Sequence, residues 1–72
     1  MENIEAFAEE LEDIILDNLD FGLFNIKLVQ SLWSEKYPDV DFQKVIQKLV
    51  AENKVGAASK THGEYRDPER TD

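Results

Sequence analysis

The chain has 72 residues, no cysteine, and sixteen Asp and Glu against eight Lys and Arg, a formal net charge of −8. That length holds one small domain, near the size at which a single core supplies only about 3–5 kcal/mol, and the absence of thiols excludes disulfides and thiolate metal sites as reinforcement. No apolar run approaches the roughly 18 residues that span a bilayer, and the acidic amino-terminal segment lacks the basic start of a signal peptide, so no membrane partner and a cytoplasmic location are expected.

The first predicted element carries the whole charge excess. Glu2, Glu5, Glu9, Glu10, Glu12, Asp13, Asp17 and Asp20 all precede the first base, Lys27, and the remaining acids and bases cancel. At physiological salt a field is largely screened beyond about 8 Å, so an acidic first element leaves room for a neutral or basic face elsewhere. From Asn3 to about Leu19, the residues Ile4, Phe7, Ala8, Leu11, Ile14, Ile15 and Leu19 recur at helical spacing and the acids occupy the other side. This predicts an amphipathic helix with Leu16 projecting among the acids and Gly22 as its C-terminal cap.

Phe21 to Phe24, FGLF, is too apolar for a solvated loop and predicts an extended piece that buries Phe21 or Phe24. Asn25 offers an N-cap for a second helix with Ile26, Val29, Leu32, Trp33 and Tyr37 on its apolar side and Lys27, Gln30, Ser31 and Ser34 facing out. Pro38 ends that helix near Lys36 and pushes Tyr37 toward an extended conformation. Asp41 is then the N-cap of a third helix, with Val40 packing under the turn.

The third helix, DFQKVIQKLVAE, has two distinct faces. Phe42, Val45, Ile46, Leu49 and Val50 line one side, while Gln43, Lys44, Gln47 and Lys48 line the other, where amides and ammonium groups suit base edges and phosphates. After Asn53, a C-cap candidate, the small residues Val55 to Ser59 and the segment Glu64 to Arg66 flank Lys60-Thr61-His62-Gly63 and predict a weak β-hairpin. Residues 67–72, DPERTD, have no apolar side chain and predict a mobile tail behind a domain of residues 1–66. The expected core contains Phe7, Leu11, Ile14, Ile15, Val29, Leu32, Trp33, Val45, Ile46 and Leu49.

Over about residues 3–66, this order of helix, short extended piece, helix, turn, amphipathic helix and hairpin resembles a winged helix-turn-helix domain. The segment NIKLVQSLWSEKYPDVDFQKVIQKLVAENKV, Asn25 to Val55, is similar to that family's two-helix unit, and GAASKTHGEYR stands where the family has its wing. The resemblance implies a mainly α fold of three helices with a small β-hairpin. In the family the third helix commonly enters the major groove and the wing touches the backbone or minor groove. Gln43, Lys44, Gln47 and Lys48 would then read bases, Lys60, His62 and Arg66 would be wing contacts, and Lys27 would meet a phosphate. The chain departs from DNA-binding members in having no arginine before Arg66, and the family also contains members that bind proteins.

The inventory for catalysis is thin. No serine or threonine has an activating context, no glycine-rich loop follows a strand, and a non-enzyme without cofactor is expected. The carboxylate pairs Glu9/Asp13 and Asp13/Asp17 lack the glycine turn and alternating ligands of a calcium loop, so no metal is expected. Two functional classes stay open. One is a small DNA-binding regulator of transcription that docks its carboxy-terminal two thirds on duplex DNA. The other is an acidic interaction module or inhibitor of the same fold that meets a protein partner through the first helix. The bases cluster on the elements that the family uses for DNA, which favours the first. With so few cations, a homodimer or partner subunit is expected to supplement the phosphate contacts.

Overall fold

The computed structural model describes residues 3–66, and the expected tail lies outside the described residues. Six elements follow one another: α1 (Ile4–Asp17), β1 (Leu23–Asn25), α2 (Ile26–Lys36), α3 (Phe42–Ala51), β2 (Val55–Ala57) and β3 (His62–Tyr65). The strands form one antiparallel sheet in the order β1-β3-β2. The domain is therefore mixed α/β, three helices over a three-stranded sheet, where the sequence predicted a mainly α domain with a lone hairpin.

The third strand comes out of FGLF. Phe24 is buried and pairs with Gly63, where a Cβ would stand 2.4 Å from the Phe24 ring, so a glycine is what lets the two strands close over an aromatic side chain. Along β3, Gly63 and Tyr65 turn toward the helices while His62 and Glu64 turn away, the period-two alternation of a sheet with one packed face. Phe21 is the opposite case: it is fully exposed at the tip of a two-residue turn. Asp20 and Leu23 exchange backbone hydrogen bonds of 2.8 and 3.1 Å across it, with Phe21 at φ 54° and Gly22 at φ 79°. Positive φ at both central residues is the signature of a type I′ turn. Gly22 therefore serves this turn and is no helix cap.

Helix α1 instead ends at Asp17, two residues earlier than expected. Asn18 closes it, its backbone N–H donating to the Ile15 carbonyl at 3.0 Å and its side-chain amide to the Ile14 carbonyl at 2.8 Å. The N-caps fall where expected for α2 and α3. The Asn25 side chain accepts from the Leu28 N–H at 3.1 Å, and the Asp41 carboxylate accepts from the Gln43 N–H at 3.0 Å. At the far end of α3, Asn53 adopts φ 61°, its N–H donates to Val50 and that of Lys54 to Leu49, which together make a Schellman motif with Glu52 as the capping residue.

The turn between α2 and α3 is fastened by the core. The Trp33 indole N–H donates to the Val40 carbonyl at 3.2 Å, and Phe7, Trp33 and Tyr37 pack edge-on or tilted with ring centroids 4.7 to 6.1 Å apart. The buried set is Ala8, Leu11, Ile15, Phe24, Val29, Trp33, Phe42, Val45, Leu49, Val55 and Tyr65, drawn from all three helices and all three strands. Of the expected core, Phe7, Ile14 and Ile46 are half-buried at its margin, and Leu32 is half-buried as well. Leu16 is half-buried too and packs on the core, whereas the sequence set it among the acids. Val50, expected on the apolar side of α3, is 51% exposed.

Among the described residues, one charged side chain, Glu12, is wholly interior. Glu12 has no exposed surface; its carboxylate accepts a 2.6 Å hydrogen bond from the Tyr65 hydroxyl and lies 3.7 Å from the Lys54 ammonium. This carboxylate ties the middle of α1 to the last strand, 53 residues away in sequence.

Candidate nucleic-acid interface

The solvent side of α3 is built by its core side. Phe42, Val45 and Leu49 are anchored inward, which leaves Gln43, Lys44 and Gln47 exposed in adjacent turns with Val50 continuing the row. Lys48 stands at the edge of this face. It is half-buried and pairs with Glu52 one turn later at 3.3 Å, so its charge is locally cancelled.

The β2–β3 connection is a well-tied tip. The Ser59 hydroxyl oxygen accepts from the backbone N–H of Thr61 at 3.3 Å and of His62 at 3.0 Å, and the N–H groups of Ala58 and Ser59 both donate to the His62 carbonyl. Lys60 projects from this tip and is exposed. The Ile26 N–H donates to the Thr61 carbonyl at 3.0 Å, which fastens the tip to the first turn of α2. Lys27 and Lys60, far apart in sequence, are thereby brought to one end of the sheet.

The other two residues expected at the wing lie behind its tip, His62 at the start of β3 and Arg66 just past its end. His62 lies on the outer face of the sheet opposite Asn25, with Nδ1 2.8 Å from the Thr61 hydroxyl. Arg66 follows the opposite end of β3, about 13 Å from His62 along an extended strand. Its N–H donates to the Lys54 carbonyl at 2.7 Å, and its guanidinium lies over Gly56 and pairs with Glu64 at 2.7 Å. Of the five Lys and Arg side chains expected at the interface, Lys48 and Arg66 are thus neutralised, and Lys27, Lys44 and Lys60 have no acidic partner within 4 Å among the described residues.

On α1, Glu5, Glu9, Asp13 and Asp17 face solvent. Glu10 accepts a 2.7 Å hydrogen bond from Lys36, and this bond, with the Glu10 charge, raises the lysine pKa above its ordinary 10.5. Among the described residues, no group of three or more His, Asp or Glu side chains gathers as a metal ion would need, and no helix is long and apolar enough to cross a membrane.

Sequence reasoning missed three side chains. Glu12 shares the spacing of Ala8, Leu11 and Ile15, so position alone put it on the buried stripe; its charge is what disguised it. The exposure of Phe21 was signalled by the following Gly22, since Xaa-Gly between apolar residues favours a tight turn whose tip points outward. Val50 had no such signal. No protein-family model matches the chain, and neither a curated protein nor a solved structure matches it.

Proposed function

We propose that the chain is a small winged helix-turn-helix protein that binds duplex DNA through α3 and the β2–β3 tip and acts as a regulator of transcription. The observation that carries this reading is the arrangement itself. The element order α1-β1-α2-α3-β2-β3 with strand order β1-β3-β2 is compatible with a winged helix, and the three lysines without acidic partners among the described residues, Lys27, Lys44 and Lys60, lie at the start of α2, on α3 and at the hairpin tip. Those are the parts of such a domain that approach a duplex. Gln43 and Gln47 would offer amides to base edges in the major groove, Val50 an apolar contact for a thymine methyl, and the lysines would neutralise phosphates.

Three phosphate contacts per copy make the binding weak and strongly salt-dependent. The slope of log K against log salt is expected near −3, so raising salt from about 50 to 200 mM weakens binding roughly fortyfold. Fluorescence anisotropy with a labelled mixed-sequence duplex reads this directly. Replacing Lys44 and Lys60 with alanine should flatten the slope to about −1, whereas Lys48→Ala, which removes a charge already paired with Glu52, should change it little. Absence of binding at about 50 mM salt, where counterion release is most favourable, would overturn the reading. The second reading, an acidic interaction module, is favoured by the exposed carboxylates of Glu5, Glu9 and Asp17, which have no ion pair among the described residues. It would replace the first if charge reversal at Glu9 and Asp13 left the fold intact and abolished binding to a protein partner.

A further inference from the structure

We propose that the face formed by the Asp20–Leu23 turn, β1 and the first turn of α2 is a homodimer interface, in which Phe21 of each copy enters a cavity on the other. Phe21 is 99% exposed and sits at φ 54°. Left-handed backbone disfavours bulky side chains, and this turn position prefers Asn, Asp or Gly. An aromatic residue is therefore held in a costly conformation where it buries nothing within its own chain, the kind of backbone outlier that tends to accompany a binding function. Beside it opens a cavity of about 310 Å³ lined by Asn18, Asp20, Leu23, Asn25, Leu28 and His62 as well as by Phe21 itself. It is an open cleft of mixed polar and apolar lining, and its volume exceeds the about 150 Å³ that suffices for benzene in a closed cavity, so it has room for a phenyl ring. Leu28 is 48% exposed at its wall.

The occupant follows from symmetry. A two-fold interface must be complementary to itself, each patch supplying both halves of every contact. Here the knob, Phe21, and the hole share one patch. The charges are arranged in the same way. Asp20 flanks the Phe21 end of β1, and Lys27 flanks the other end beyond Asn25. Neither has an ion-pair partner in its own chain among the described residues. A two-fold axis through the middle of β1 lays the acidic end of one copy over the basic end of its partner. A foreign partner would require only one half of each complement, whereas a second copy uses both. A stable interface takes about 800 Å² from each partner, roughly a sixth of the 5021 Å² surface, and a patch with one aromatic anchor per copy fits a dimer that dissociates on dilution. The dimer needs no DNA to form, but Lys27 cannot serve both roles at once: a monomer offers Lys27, Lys44 and Lys60 to phosphates, whereas in the dimer Lys27 lies in the seam and the pair brings Lys44 and Lys60 of each copy, four in all.

Sedimentation equilibrium of the full chain without DNA tests the proposal. The wild type should be dimeric near 1 mM and monomeric near 1 µM. Phe21→Asn, whose side chain tolerates the turn and whose fold circular dichroism can check, should dissociate at least about thirtyfold more readily, the usual effect of truncating an aromatic anchor. Asp20→Lys makes a copy that is basic at both ends of β1, and Lys27→Glu makes one that is acidic at both. Each alone should associate more weakly than wild type, and their equimolar mixture should form a heterodimer tighter than either. The proposal is overturned if the wild type remains monomeric near 1 mM, if Phe21→Asn associates as the wild type does, or if the mixture is no tighter than its components.

Discussion

Tyr65→Phe isolates the buried link between α1 and the last strand. The substitution keeps the ring, which is 7% exposed, and removes only the hydroxyl that donates to the Glu12 carboxylate at 2.6 Å. A hydrogen bond to a charged group contributes about 1.5–3 kcal/mol, and the acceptor left behind has no exposed surface through which water could replace the donor. Lys54, 3.7 Å away on the other carboxylate oxygen, offsets part of that loss. The expected cost is about 2 kcal/mol, a large share of the roughly 3–5 kcal/mol that a domain of this size commands. For such a chain each kcal/mol lowers Tm by about 4–8 °C, so Tm should fall by about 8–16 °C. Thermal unfolding followed by circular dichroism, and urea unfolding followed by fluorescence of the buried Trp33, both read it. Replacing both partners, Glu12→Leu with Tyr65→Phe, removes the buried carboxylate together with its donor. It should cost less than the sum of the two single changes, with Lys54 free to turn to Glu52 at 3.8 Å. A Tyr65→Phe variant that melts within about 2 °C of wild type, or a double variant that is simply additive, would refute the reasoning.

Two further outcomes concern the sheet and the helix pair. Gly63→Ala should cost about 1–3 kcal/mol because its Cβ would stand 2.4 Å from the buried Phe24 ring, whereas Gly56→Ala should change stability by under about 0.5 kcal/mol because the exposed Arg66 guanidinium, 2.6 Å away, can swing aside; urea midpoints of the two variants compare them. The Lys36 pKa is raised in the folded chain by its hydrogen bond to Glu10, so the stability linked to it is fully present below 10.5 and is lost as pH rises through the raised value. The Tm difference between wild type and Lys36→Met should accordingly be constant from about pH 6 to pH 9 and shrink only in more alkaline solution.

The parts of the fold that depend on short-range chemistry were legible in the sequence. Helix α3 follows from the spacing of Phe42, Val45 and Leu49 behind the Asp41 cap, and α2 from Asn25 at one end and Pro38 past the other, because periodicity and capping act over a few residues. Solvent exposure of Gln43, Lys44 and Gln47 follows from the same periodicity. What the tertiary structure alone decided involves residues remote in sequence. Tyr65 donates to Glu12 and so brings a carboxylate into the core, Gly63 admits Phe24 and so makes FGLF a strand, and Thr61 holds Ile26 and so gathers Lys27 with Lys60. Glu52 and Glu64 cancel Lys48 and Arg66, which composition counts as available cations. A side chain's charge and polarity are local properties, but whether it is buried, paired or left to a partner depends on which distant segment folds against it, and no pattern within one helix or strand carries that information.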